Sequence, residues 1–258
     1  MPEYQTPALI LTVKDYGEID RIVTFYTRDF GKISGIAKGA KKSQKRFGGT
    51  LELFSQVQLS FFAKEPFSLV RINHCFLTQA FPFIHQDLIR LAYGSYLAEL
   101  INELIPERVS HRELFLMLLK FFSLIDSSPL KEDYLRIFEM RFLVASGYRP
   151  ALTHCLECNR KLTSGEENLW FNIRRGGVVC SFCAQNKNNL HSISRGTLKL
   201  LEQAGNLKID KLERLIFSPQ ALEESRELIP QFLQYHLGKE LRSLKFLEKI
   251  KKQERTST

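Results

Sequence analysis

The chain has 258 residues, 44% apolar and 25% charged, an ordinary globular composition long enough for one large domain or two to three small ones. No apolar run approaches the roughly 18 residues of a membrane-spanning helix, and the start, Met1 to Gln5, lacks the basic-then-apolar pattern of a secretory signal. These features set aside membrane-embedded and exported classes and point to the cytoplasm. Formal net charge is +9, distributed as +4 over residues 1–80, −1 over 81–150, +2 over 151–190 and +4 over 191–258. A basic chain without a membrane helix most often meets a polyanion, usually nucleic acid, although solvated Lys and Arg also keep a protein soluble.

Residues 1–80 read as strands. Ala8 to Val13 is short, apolar and β-branched and ends at Tyr16-Gly17; Ile19 to Thr27 follows and stops at Asp29-Phe30-Gly31; Lys32 to Ala37 is a third run. In the fourth, Val57, Leu59 and Phe61 alternate with Gln56, Gln58 and Ser60, the period of a half-buried strand. Phe67 to Thr78 is a fifth. Five short strands predict a small closed barrel, and the OB-fold is the common five-stranded barrel that binds nucleic acid.

Between strands three and four lies a basic segment, Lys38 to Gly49. From Lys32 to Thr50 there are six basic residues and no acidic one. Its glycines and lack of apolar period predict a mobile loop, too short for the helix that many OB-folds carry there. Lys38, Lys41, Lys42, Lys45 and Arg46 can follow a phosphate backbone, and Phe47 can stack on a base. The plain alternative is a solvated charged loop.

From residue 81 the period becomes helical. Leu97, Leu100, Ile101, Leu104 and Ile105 fall on one face, as do Leu114, Met117, Leu118, Phe121, Phe122 and Ile125. Pro106 and Pro129 follow as stops, and a third helix over residues 131–146 ends at Gly147.

The most specific signal is Cys155-x-x-Cys158, twenty-one residues, then Cys180-x-x-Cys183. Two-residue spacers let a tight turn aim both sulfurs at one centre, and two such turns make the tetrahedral S4 cage of structural Zn2+. Disulfides would need an oxidising compartment, and a redox motif needs a single pair on a thioredoxin-like unit. With four thiolates the cage is closed, so it staples and does not activate water. His154 and His191 flank the site. Inside the finger, Trp170 to Ile173 and Gly177 to Val179 form a hairpin with Arg174 and Arg175 at its tip, either meeting phosphates or simply exposed. Beyond it, Ser194 or Thr197 caps a short helix ending near Gly205, and Ser218-Pro219 starts a longer one that Pro230 should kink or break. The last residues, Lys249 to Thr258, should fray.

Several stretches together resemble the RecO family of bacterial recombination mediators: Lys38 to Lys42, Phe47 to Phe54, Phe138 to Tyr148, the cysteine pairs around Arg174 to Cys180, and Tyr235 to Phe246. The resemblance covers nearly the whole chain and keeps the order of its pieces. It implies an α+β protein: an N-terminal OB-like barrel over 1–80, a mainly helical domain over 81–258, and a zinc finger over 151–190 set into it. It further implies a non-enzymatic protein that binds single- and double-stranded DNA. Such a protein anneals strands coated by single-strand-binding protein, whose acidic tail docks on the helical body. With RecR it helps load the RecA recombinase.

The rival readings are a metal-dependent nuclease and a zinc-finger interaction scaffold. A nuclease needs clustered carboxylates or a base beside a nucleophile. The acidic residues are scattered in sequence, the six histidines are isolated, and no Walker-type glycine motif occurs.

Overall fold

The computed structural model describes residues 2–63, 69–127, 129–162, 169–185, 189–238 and 240–256. By its internal contacts the chain forms two units, Met1–Leu130 together with Leu241–Thr258, and Lys131–Glu240.

The first unit opens with five strands, β1 (Glu3–Tyr16), β2 (Asp20–Thr27), β3 (Gly31–Ala37), β4 (Gln56–Phe62) and β5 (Val70–Gln79). They close into a barrel in the order β1-β2-β3-β5-β4. The long β1 serves two neighbours: Glu3 to Leu9 pair with β4, and Ala8 to Tyr16 pair with β2 across an irregularity between Ile10 and Thr12. β2–β3 and β4–β5 are antiparallel, and a short parallel contact, Gly35 with Val70 and Ile36 with Arg71, completes the ring. Ile10, Val23, Phe25, Ile33, Val57, Leu59, Phe61 and Ile72 fill the interior. Cys75 lies among them, and burial pushes its thiol up to about 12, so this fifth cysteine is inert packing. The expected fifth strand included Phe67 and Ser68, which lie outside the described residues.

Closure depends on a missing side chain. A Cβ on Gly35 would stand 2.7 Å from Cγ2 of Val70 and 2.8 Å from Cγ1 of Ile72. Only glycine lets β3 approach β5 this closely.

The basic segment departs from the expected bare loop. It holds a turn and then a short helix, α1 (Gln44–Phe47), anchored by the Phe47 amide donating to the Ser43 carbonyl at 3.1 Å. One helical turn fits because the Phe47 ring drops into the barrel core at 3% exposure and pins it.

Helices α2 (Pro82–Gln86), α3 (Leu88–Leu104), α4 (Arg112–Asp126) and α9 (Arg242–Thr256) complete this unit. The faces read from the period are the buried ones, including Leu97, Leu100, Ile101, Leu118, Phe121, Phe122 and Ile125. Asp87 caps α3 by accepting from the Arg90 amide at 2.8 Å. The cap of α9 comes from α3: the Glu99 carboxylate accepts from the amides of Arg242 at 3.1 Å and Ser243 at 2.8 Å. With its first turn held and Leu244, Leu247 and Ile250 buried, α9 stays helical to Thr256 where fraying was expected.

The second unit packs α5 (Asp133–Ala145) against α7 (Arg195–Asn206) and α8 (Pro219–Leu237), beside a small sheet of β6 (Leu169–Asn172), β7 (Gly177–Cys180) and β8 (His191–Ile193) in the order β7-β6-β8. A short helix α6 (Ser181–Ala184) follows β7. Ser194 and Ser218 cap α7 and α8 as expected. α8 runs unbroken through Pro230, because the apolar face of Leu228, Ile229, Phe232 and Leu233 is buried on both sides of the proline. Burial of that face offsets the roughly 3 kcal/mol of an interior proline. Within α5 the buried Arg136 pairs with Glu139 at 2.9 Å, and it ties this helix to α8 by donating to the Ser225 carbonyl at 2.8 Å. Among the described residues no helix is long and apolar enough to cross a membrane.

The Gly35 contact generates a prediction. Gly35→Ala should destabilise the barrel by roughly 1–3 kcal/mol through overpacking, read as a lower urea midpoint with unchanged helical circular dichroism after refolding.

Candidate metal centre and nucleic-acid interface

The four finger cysteines converge. Their sulfurs all lie within 4.8 Å of one another. Two local devices bring them together. The segment before the first knuckle runs along β7, with the Ala151 amide donating to the Gly176 carbonyl at 2.8 Å and the Leu156 amide to the Val178 carbonyl at 2.8 Å. β7 then ends at Cys180, the residue before α6, and one turn of that helix brings Cys183 back. The knuckle presses so closely that a Cβ on Gly177 would sit 2.9 Å from the Ala151 carbonyl oxygen and 2.9 Å from Leu156 Cδ2.

The donor set suits zinc. Sulfurs 2.3 Å from a tetrahedral ion stand about 3.8 Å apart, and Cys158 and Cys180 are 3.9 Å apart. All four thiols are free. Burial pushes the Cys155 thiol up, but the backbone amides of Cys158, Cys180 and Glu157 outweigh it and bring the group down to about 6. Desolvation, hydrogen bonds from the other three thiols and the Cys155 charge push Cys183 up to about 12. Four thiolates this close repel one another unless a cation neutralises them. His154 belongs elsewhere, with Nδ1 2.9 Å from the Thr153 hydroxyl. His191 stands on β8, beside a cleft shared with Arg174 and Tyr235.

The hairpin tip separates its two arginines. Arg175 turns back onto the first knuckle, pairing with the Glu157 carboxylate and donating to the Leu156 carbonyl at 3.3 Å. It braces the finger. Arg174 is exposed in the turn. The Glu157 partner is not legible in sequence, because eighteen residues separate it from Arg175.

The basic segment in the first unit is docked, not dangling. The Gly39 amide donates to Asp20 Oδ1 at 2.7 Å, and the Lys41 amide donates to the Ile19 carbonyl at 3.0 Å. Lys41 Nζ reaches Asp15 at 3.0 Å and the Gly17 carbonyl at 3.3 Å. Arg46 is spent within the segment: Nη2 donates to the Lys38 carbonyl at 2.7 Å, Nε donates to the Ser43 hydroxyl at 3.3 Å, and its guanidinium stands 5.0 Å from the Phe47 ring centre. Lys38, Lys42 and Lys45 are exposed, with no acidic partner among the described residues. Phe47 corrects the sequence expectation. Its ring is an interior residue and offers no face to a base, because amphipathic burial in the barrel wins over display on a charged loop.

Comparison with known proteins agrees over the whole length. The family described as Recombination protein O N terminal matches residues 1–81, and that described as Recombination protein O C terminal matches residues 85–245. The chain is 38% identical to the DNA repair protein RecO of Syntrophus aciditrophicus (strain SB), covering 96% of each. It is 36% identical to that of Desulfatibacillum aliphaticivorans, over 98% of this chain and 99% of the relative. The RecO of Anaeromyxobacter sp. (strain K) is 34% identical over 97% and 98%.

Purified chain should carry about one zinc, by elemental analysis. Cys155→Ser should lose the metal and lower the melting temperature, whereas Arg175→Ala should keep it and loosen the knuckle, seen as faster metal transfer to a chromogenic chelator.

Proposed function

This chain belongs to the RecO family of DNA repair proteins, and from that premise we propose that it acts in recombinational repair without catalysis, by gripping DNA through its phosphates and pairing complementary strands. The observation that carries this reading is the fixed basic segment. Three exposed lysines, Lys38, Lys42 and Lys45, stand without acidic partners among the described residues, on a surface held in place by Asp20 and by the Asp15–Lys41 pair. Lys41 and Arg46 add charge while shaping that surface. Arg174, exposed in the finger's turn, is a further phosphate contact. Fixed cations lower the repulsion between two phosphate backbones, which is what annealing requires.

In this reading residues 1–80 bind nucleic acid, 81–258 form the helical domain, and the finger over 151–190 carries one structural Zn2+. The ion would neutralise the four thiolates and hold the two knuckles together; all its ligand positions are protein sulfurs, which leaves none for water or substrate. Among the described residues the group of three or more metal-ligating side chains close enough to share an ion is this cluster, and it contains no carboxylate. The working partners are single- and double-stranded DNA, RecR, and the acidic tail of single-strand-binding protein, with RecA loading as the outcome, in the cytoplasm at the nucleoid.

Binding to single strands should weaken with salt at a log–log slope of roughly −3 if four or five phosphates are engaged. The triple change Lys38→Ala, Lys42→Ala and Lys45→Ala should flatten that slope by roughly 2 and slow annealing of strands coated by single-strand-binding protein. An unchanged slope removes the segment from the interface. Strand cleavage that depends on added Mg2+ would favour the nuclease instead.

A further inference from the structure

The loop's own aromatic residue, Phe47, is buried, yet an exposed ring stands on the hairpin that anchors the loop. Tyr16 ends β1, opposite Asp20 at the tip of the β1–β2 hairpin, and is 54% exposed. The basic segment is docked on this tip: Lys41 binds the carbonyls of Gly17 and Ile19 and the Asp15 carboxylate, and the Gly39 amide binds Asp20. Tyr16 therefore stands on the hairpin tip to which the lysine segment is fixed.

The face on which Tyr16 sits follows from strand geometry. Beyond the irregularity after Ile10, Val13 packs against the barrel core, so Thr12, Lys14 and Tyr16 project outward with the two-residue alternation of a strand. The same outer face carries a cleft of about 350 Å³ lined by Thr12, Lys14, Ile22, Thr24, Ser34 and Glu107. Within it the hydroxyls of Thr24 and Ser34 lie 3.2 Å apart. The surface thus runs from a cleft that carries these hydroxyls, past Lys14, to the exposed Tyr16 ring. Glu107 in the cleft and Glu18 in the hairpin turn repel phosphates, which leaves the backbone track to the lysine side.

We propose that Tyr16 is the base-stacking platform of this interface: a single strand crosses the outer face of β1, β2 and β3 with a base on the Tyr16 ring and its flanking phosphates on Lys14 and the loop lysines. Stacking on a ring tolerates any base, as a protein that acts on arbitrary strands requires. Among the described residues the other aromatic exposed on the barrel, Phe76 on β5, faces Gln58 across the sheet and rests against the His74 ring, without a lysine in its register. The proposal rests on the DNA-binding reading above and adds the ring to it.

The test uses the full chain and two fluorescent probes, an oligothymidine and an abasic sugar–phosphate oligomer of equal length, titrated by anisotropy at low and moderate salt. The unsubstituted chain should bind the thymidine oligomer more tightly than the abasic one. Tyr16→Ala should weaken the former on the order of tenfold, leave the latter unchanged and keep the salt slope. Tyr16→Trp should restore the preference. Because the ring is exposed, melting temperatures should match, which separates lost stacking from lost folding. Equal weakening of both probes, or of neither, overturns the proposal. Equal binding of both probes by the unsubstituted chain overturns stacking while sparing the electrostatic reading; failure to bind either sinks that reading and this one with it.

Discussion

The barrel exists because β1 is shared. Its first half is hydrogen-bonded to β4 and its second half to β2, so one strand belongs to both edges of what would otherwise be an open sheet. An irregularity between Ile10 and Thr12 lets the strand turn the corner, adding local twist where a flat ladder would stop. The alternation on either side of that corner then decides what is inside and what is outside. Ala8, Ile10 and Val13 meet the core, whereas Lys14 and Tyr16 meet solvent. Closure at the opposite side depends on Gly35, where two strands approach within the width of a missing methyl group.

On this frame a charged segment becomes a surface. A run of lysines with no acid among them would repel itself and wander if it were tethered only at its ends. Here backbone amides at Gly39 and Lys41, the Asp20 carboxylate and the Asp15–Lys41 pair fix it to the hairpin, and Phe47 nails the following turn into the core. Two of the five cations, Lys41 and Arg46, are consumed in building the platform. The remaining three are left facing solvent. An exposed pair such as Asp15 and Lys41 contributes little stability, so its role here is placement.

The finger follows the same division between brace and display. Gly177 and the backbone bonds of Ala151 and Leu156 clamp the first knuckle to β7, and Arg175 closes the far side on Glu157. These contacts bring four sulfurs to within tetrahedral reach before any ion is considered. Both tip arginines are exposed, but Arg175 is engaged with the first knuckle.

Much of this was written in the chain itself. The paired C-x-x-C spacing specified a four-sulfur site because ligand spacing is a local property, and the helical and alternating periods located α3, α4, α5 and the barrel strands because burial repeats with backbone geometry. Serine and proline signals placed the starts of α7 and α8 for the same local reason. What sequence alone did not reach are facts created by long-range approach: that Phe47 is core and not display, that α9 is capped by Glu99 from 143 residues away, that Pro230 leaves α8 whole, and which lysines find a carboxylate. A charge run reads identically whether its members are paired or bare. Only the fold, by bringing Asp15 and Asp20 against the loop, decides which residues are left to meet another molecule.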